Sequence, residues 1–405
     1  MLQSPLLFIF YALLTAITTA WIIQRWFPSS QESGRYQSID GLRGYLAFSV
    51  FLHHTYCWRV YLQKGQWQIP ESRLFAGLGA HSVMLFFMIT GFLFFSKLKD
   101  SKKQSINWFH FYRGRLLRLG PVYLLAISFL FLLVAFLSQG ELHDSFFSVT
   151  TQCLNWVLFT LYEAPYINQV HDTLLILAGV TWTLVYEWLF YSMLPLIGFL
   201  FFKVNVPRIV LILATGLSIS IAATHYVDYV LIAAFLMGLP AVYLVKKSEF
   251  KLFARSKLAT LIILGCYGAA ISLRNPNPLT TLLLLSIVFT LIALGNDIFG
   301  LLTRSFSLFL GQCTYVIYLF HGFFIYVVFK FLLGFDKTKH LSDTAYGLVI
   351  VSCVLPLLIL CSCIHHFIEL PSIRLHKKQN MMTRKKRLNI STLLKINRTL
   401  TKKYN

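Results

Sequence analysis

Charge is scarce in this chain, and negative charge is scarcer still. Of its 405 residues, 57% are hydrophobic and 13% charged, with 15 Asp and Glu against 36 Lys and Arg. That balance excludes a soluble globular domain and reads as an integral membrane protein. The cations stand at the ends of apolar runs rather than on a basic domain, so no nucleic-acid partner is expected. Paired cysteine motifs are also lacking. Cys57, Cys153, Cys266, Cys313, Cys353, Cys361 and Cys363 are odd in number, include no CxxC pair and lie in or beside apolar runs. They are expected as free thiols packed as small apolar groups. His53 and His54 are adjacent and point roughly 100° apart on a helix, with no carboxylate or Cys at ligand spacing, so no metal is expected. The amino end is not expected to be a cleavable leader either. The first apolar run, Pro5 to Trp26, has no basic residue before it and Arg25 near its end. It reads as a retained span with the amino end outside.

What the chain does have is apolar runs of a length that crosses a ~30 Å hydrocarbon core. They fall near 5–26, 41–61, 80–97, 120–138, 181–202, 207–224, 228–245, 258–273, 278–296, 308–333 and 345–367. The expected fold class is all-α: a polytopic membrane protein with about eleven transmembrane helices. With the amino end outside, only Arg59, Lys64, Arg73, Arg274, Lys330, Lys337 and Lys339 fall outside, and every other Lys and Arg falls inside. The positive-inside rule supports that direction and puts the carboxyl end in the cytoplasm. The longest outside segment, 139–180, contains a short apolar piece, Cys153 to Leu161, expected to be re-entrant or interfacial. No internal repeat is evident. Three parts follow: residues 1–35, an extra transmembrane helix and linker; 36–373, the main transmembrane domain; and 374–405, a basic cytoplasmic tail. The tail either contacts anionic lipid or only retains topology.

Polar residues within the spans are few, and each is a site candidate because an ionisable group at membrane depth is costly. Arg43 and His54 are eleven positions apart on the second span, close to three helical turns, so they share a face. Their separation of roughly 16 Å puts the guanidinium at one surface and the imidazole near mid-membrane. Asp40, just before Arg43, is placed to cap the helix or pair with Arg43. Gly41 and Gly44 leave room for a ligand or another helix. Arg113, Arg115 and Arg118 lie among aromatics between Trp108 and Pro121, either as phosphate-binding guanidiniums or as a juxtamembrane anchor. Glu187 sits within a span with Thr183 and Tyr191 one turn away on its face, as hydrogen-bond partners in either a structural pin or a site. Gly311, Thr314, Tyr318 and His321 form one stripe on the tenth span, and Glu369-Leu-Pro371 stops the last.

Taken together, these elements resemble the acyltransferase-3 family of membrane O-acyltransferases, from about Tyr36 to Pro371. The family's Arg, ten residues, His signature falls on Arg43 and His54, and its Asp-Gly-x-Arg-Gly opening on Asp40, Gly41, Arg43 and Gly44. Its paired Arg before a Pro falls on Arg115, Arg118 and Pro121, and its Thr-Trp-x-x-x-x-Glu on Thr181, Trp182 and Glu187. Its Tyr-x-x-Tyr-Leu-x-His falls on Tyr315, Tyr318, Leu319 and His321, and its Glu-x-Pro on Glu369 and Pro371. Two positions depart from the pattern: Ser82 replaces a Gly, and Thr90 replaces the Ser before Gly91.

The resemblance implies an O-acetyltransferase in the bacterial inner (cytoplasmic) membrane. Acetyl-CoA would be the cytoplasmic donor, and a hydroxyl of a cell-surface polysaccharide such as lipopolysaccharide O-antigen the acceptor. Besides the donor, the expected partners are a glycan or lipid-linked glycan and the membrane lipids. His54, Arg43 and Glu187 are the expected catalytic residues, with His54 as base or nucleophile. Arg43, Arg115 and Arg118 would hold the donor's phosphates, and Asp40, Tyr318 and His321 would bind the acceptor. No metal takes part. The alternative is a polytopic transporter or proton-coupled channel, which uses the same intramembrane His and Glu. The pair of Gly/Pro-interrupted spans that such proteins carry is not evident.

Overall fold

The computed structural model describes residues 4–27, 36–101, 106–273 and 277–375. Arg35, Arg274 and the basic tail from residue 376 onward lie outside them. The described chain is helical, with no β-structure beyond one antiparallel bridge between Ile167 and Val170. In order come α1 (Pro5–Ile23), α2 (Gln37–Lys64), α3 (Arg73–Asp100), α4 (Trp108–Leu137), α5 (Phe146–Val157) and α6 (Thr173–Ile176). Next are α7 (Trp182–Phe202), α8 (Arg208–Thr224), α9 (Tyr229–Leu236), α10 (Leu239–Leu244), α11 (Ser248–Ala254) and α12 (Lys257–Ser272). Last come α13 (Pro278–Ala293), α14 (Ser305–Gln312), α15 (Thr314–Val327), α16 (Phe335–Lys339) and α17 (Asp343–Ile364). A π-helical stretch, Val328–Leu333, extends α15, and another, His365–Glu369, extends α17.

The protein is an all-α multi-pass membrane protein. Among the described residues, six helices are long and apolar enough to cross a membrane: α1, α3, α4, α7, α15 with its extension to Leu333, and α17 continued to Leu375. A seventh arises if α9–α10 and α11, bent by 114° at their junction, count as one broken span. The apolar helices α8, α12 and α13 are shorter. The 28-residue α2 is long enough but too polar to qualify, since it carries Asp40, Arg43, His53, His54 and Arg59. Its polar groups are sheltered by protein. It lies between α3 on one side and α14–α15 on the other.

That enclosure requires glycine. A methyl on Gly41 would stand 1.9 Å from the Leu302 carbonyl oxygen, and one on Gly311 would stand 1.9 Å from that of Asp40. Gly44 meets Leu310 at 2.6 Å. Of the Asp-Gly-x-Arg-Gly glycines, Gly41 therefore admits the turn before α14 and Gly44 admits α14 itself. The helix begins a turn earlier than expected, with Tyr36 as its N-cap, so Asp40 lies in the first turn rather than at the cap.

Two prolines within helices free carbonyls that other hydroxyls take up, as the absence of water in a bilayer demands. Pro121 cannot bond the Leu117 carbonyl, which accepts instead from the Ser372 hydroxyl. Pro195 likewise leaves the Tyr191 carbonyl to the Tyr112 hydroxyl, at 3.2 Å. The last helix does not stop at Glu369-Leu-Pro371 but runs on to Leu375. Glu369 is buried inside it and meets His365 Nδ1 at 2.6 Å.

The segment between α4 and α7 carries two short helices, α5 and α6. The short apolar piece is a helix that starts earlier, α5, with Phe146, Phe147 and Leu154 exposed on its surface. It is the later stretch, Thr173 to Val180, that dips into the bundle, where Leu177 and Ala178 press against Gly322 of α15.

Candidate active site

Two cavities open along α2, one near each end. The first, of about 320 Å³, is lined by Arg43, Lys97, Arg115, Arg118, Glu187 and Thr90 among apolar side chains. The second, of about 800 Å³, is lined by His53, His54, Cys57, Tyr61 and Trp67 of the α2 region and by Tyr166, His171, Asp172 and Trp182 of the α4–α7 segment. Val83 of α3 and Tyr318 of α15 line both, so these two side chains are the partition.

The first cavity is cationic. Among the described residues, no carboxylate lies within salt-bridge distance of Arg43, Arg115 or Arg118. Arg115 stacks over Phe94, 5.1 Å from its centroid, and faces Tyr191. Glu187 accepts a hydrogen bond from the Tyr191 hydroxyl. Its other expected partner, Thr183, is bound elsewhere: its hydroxyl lies 3.1 Å from the Val180 carbonyl and 2.8 Å from the Tyr318 hydroxyl. Four cations and one acid in a small, mostly apolar space form an anion-attracting site, in which Arg115 already bonds the Tyr191 hydroxyl. The Thr90 hydroxyl, at the position where the family pattern has Ser, is part of this wall.

The second cavity holds the imidazoles. His54 Nδ1 lies 2.9 Å from His321 Nε2, and His321 Nδ1 lies 3.0 Å from the Ile317 carbonyl oxygen. The two rings stack at 4.9 Å. A carbonyl only accepts, so the His321 proton sits on Nδ1 and its Nε2 carries a lone pair. His54 must then donate from Nδ1, which leaves its own Nε2 as a free base. His53 also lines this cavity, but its Nδ1 is taken by the Phe75 carbonyl at 2.8 Å and its ring packs against Gly79. Trp67 lies parallel to His54, with centroids 6.0 Å apart, and is braced by Trp58 and Tyr61.

The sequence-derived residues thus divide. Arg43, Arg115, Arg118 and Glu187 meet in the first cavity, His54 stands in the second, and Tyr318 lies between them. His321 is fully buried behind His54 and lines neither cavity, and neither does Asp40. Sequence reasoning missed Lys97, Trp67 and Asp172. Lys97 carried only a topological signal, and the other two sit in connecting segments that show no periodicity. Among the described residues, no group of three or more His, Cys, Asp or Glu is arranged to hold a metal ion. All seven cysteines are free.

A family model described as an acyltransferase domain, that of acyltransferase-3, matches residues 36–366. No curated protein and no solved structure matches the chain.

Proposed function

The chain belongs to the acyltransferase-3 family and is a membrane acyltransferase, and on that premise we propose that it is an O-acetyltransferase of the cell envelope. It takes acetyl from acetyl-CoA on the cytoplasmic side of a bacterial inner membrane and passes it to a hydroxyl of a cell-surface polysaccharide, such as lipopolysaccharide O-antigen. Its apolar runs cross the membrane eleven times, with the amino end outside, so that Arg43, Arg115 and Arg118 face the cytoplasm. The observation that carries this reading is the pair of cavities meeting at Val83 and Tyr318, cationic on one side and basic on the other.

In this reading the guanidiniums and Lys97 hold the donor's phosphates. Glu187 and Asp40 steady the guanidiniums and moderate their mutual repulsion, Asp40 from behind Arg43 rather than on the acceptor. The thioester reaches past Val83 and Tyr318 to His54. His54 Nε2 takes the proton of the acceptor hydroxyl as its oxygen bonds to the thioester carbonyl carbon. The C–S bond breaks, the ester forms, and the proton passes to the departing CoA sulfur. Tyr318 borders both reactants, and His321 serves by holding His54 rather than by touching the acceptor.

The test is transfer of radiolabel from acetyl-CoA to polysaccharide in membrane vesicles. Inside-out vesicles should accept the added donor and right-side-out vesicles should not. His54→Ala should insert normally and transfer nothing. Near-normal labelling by that variant, or equal labelling from both vesicle orientations, would overturn the reading.

A further inference from the structure

The wall of the larger cavity opposite α2 carries a carboxylate that no element of the acyltransferase-3 pattern includes. Asp172 is held through one oxygen only: Oδ2 accepts from the Tyr326 hydroxyl at 2.8 Å and from Lys330 Nζ at 3.3 Å. Although Asp172 stands at the N-cap of α6, its side chain caps nothing. Oδ1 therefore accepts no hydrogen bond from any described residue, and Asp172 is among the residues that line the cavity. A carboxylate pinned by a phenol and an ammonium on one oxygen is pre-oriented to accept from a ligand on the other.

The surroundings restrict what that ligand is. Tyr166 and Trp182 line the cavity while 47% and 45% exposed, so they offer it aromatic surface. Trp67 extends that surface to the edge of His54. No Lys or Arg lines this cavity, in contrast to the four cations of the other. Lys330 already balances Asp172, so an anionic ligand would bring a further negative charge with no lining Lys or Arg of its own, at a cost in affinity. Asp172 also lies within electrostatic reach of Tyr61 on α2. Tyr61 is seven residues beyond His54, or about 10 Å of helix rise. The cavity thus has a base near one end and a hydroxyl acceptor further along, with aromatic faces between.

We propose that Asp172, with Tyr166 and Trp67, forms the acceptor subsite, and that it selects an uncharged sugar whose hydroxyls bond Oδ1 while its ring rests on the aromatic faces. This deepens the reading of the chain as a glycan O-acetyltransferase and rests on it. The arrangement excludes phosphorylated and uronic-acid residues from the position beside Asp172, because a second negative charge there would be unpaired.

Binding tests it separately from chemistry. The purified protein in detergent is titrated with methyl glycosides of glucose, galactose, mannose and rhamnose, and with methyl glucuronide and methyl galacturonide. Quenching of tryptophan fluorescence is the readout. At least one neutral glycoside should bind, and the uronides should bind at least tenfold more weakly. Asp172→Asn and Tyr166→Ala should each weaken that neutral ligand roughly 10- to 100-fold. Acetyl-CoA affinity should stay at the wild-type value in both, which shows that the fold is kept. Equal binding of uronides, no binding by any of the six glycosides, or unchanged affinity in both variants would overturn the proposal. Selective binding of a neutral glycoside without acetyl transfer to any glycan would instead leave the subsite standing and remove the transferase reading beneath it.

Discussion

His321 holds His54 in one tautomer. The bond between His54 Nδ1 and His321 Nε2, 2.9 Å long, is the middle link of a chain that ends on the Ile317 carbonyl. A one-turn carbonyl on α15 thereby sets which nitrogen of an imidazole on α2 is basic. The fully buried His321 has no route to the acceptor, so its contribution passes through His54.

His321→Ala should therefore lower kcat by roughly 10²-fold, the size of a misdirected general base, while acetyl-CoA affinity is unchanged. His321→Gln should recover part of the loss, because its amide oxygen can accept from His54 Nδ1. Steady-state kinetics with separate donor-binding measurements check this. Equal loss in both variants together with weakened donor binding would assign His321 to packing alone.

Val83 gives a different test, because it is the small side chain in a two-residue partition. Val83→Phe should fill the junction at an overpacking cost of about 1–3 kcal/mol. Donor and acceptor should each still bind, and transfer should fall at least 100-fold because the thioester no longer reaches His54. Full transfer by a stably folded Val83→Phe protein would show that the reactants meet by another path.

Much of the architecture could be read from the chain because its signals are local. The apolar runs are helical, and the three turns between Arg43 and His54 do put them on the cavity-facing side of α2, one in each cavity. What could not be read is what depends on distant partners. His54 and His321 are 267 positions apart, and Thr183 meets Tyr318 across 135 rather than the Glu187 on its own helix. Helical spacing proposes neighbours on one face, but the choice among them is made by packing between helices. The Glu369 misreading has the same origin. Glu-x-Pro resembles a stop, yet a π-helical turn and a buried His365 partner carry the helix through it.

The guanidiniums of the first cavity lead to a third expectation. Replacing Arg43, Arg115 or Arg118 singly by Lys keeps the charge and removes the fork. Each change should weaken acetyl-CoA binding about tenfold, the difference between a bidentate and a point contact, with thermal stability near that of wild type. Isothermal titration with acetyl-CoA and with dephospho-CoA would show which guanidinium serves the 3′-phosphate. Unchanged donor affinity in all three variants would return these residues to a topological role.

The last expectation concerns whether the acetyl group rests on the enzyme. His54 Nε2 is free and faces the cavity shared with the acceptor, so it can act as a base toward a hydroxyl or attack the thioester itself. The two cavities share Val83 and Tyr318 in their walls, so a donor in one and an acceptor in the other would be bound at once, and direct transfer needs only that. Purified enzyme given labelled acetyl-CoA without acceptor should then release no stoichiometric burst of CoA and retain no label on protein. Turnover should begin when a glycan is added, and initial-rate patterns should require both substrates on the enzyme together. A burst of one CoA per enzyme, with label on the protein that His54→Ala abolishes, would establish an acetyl-imidazole instead. The relay would still matter there, since the same tautomer exposes the nucleophilic nitrogen, and His321→Ala would then slow the burst itself.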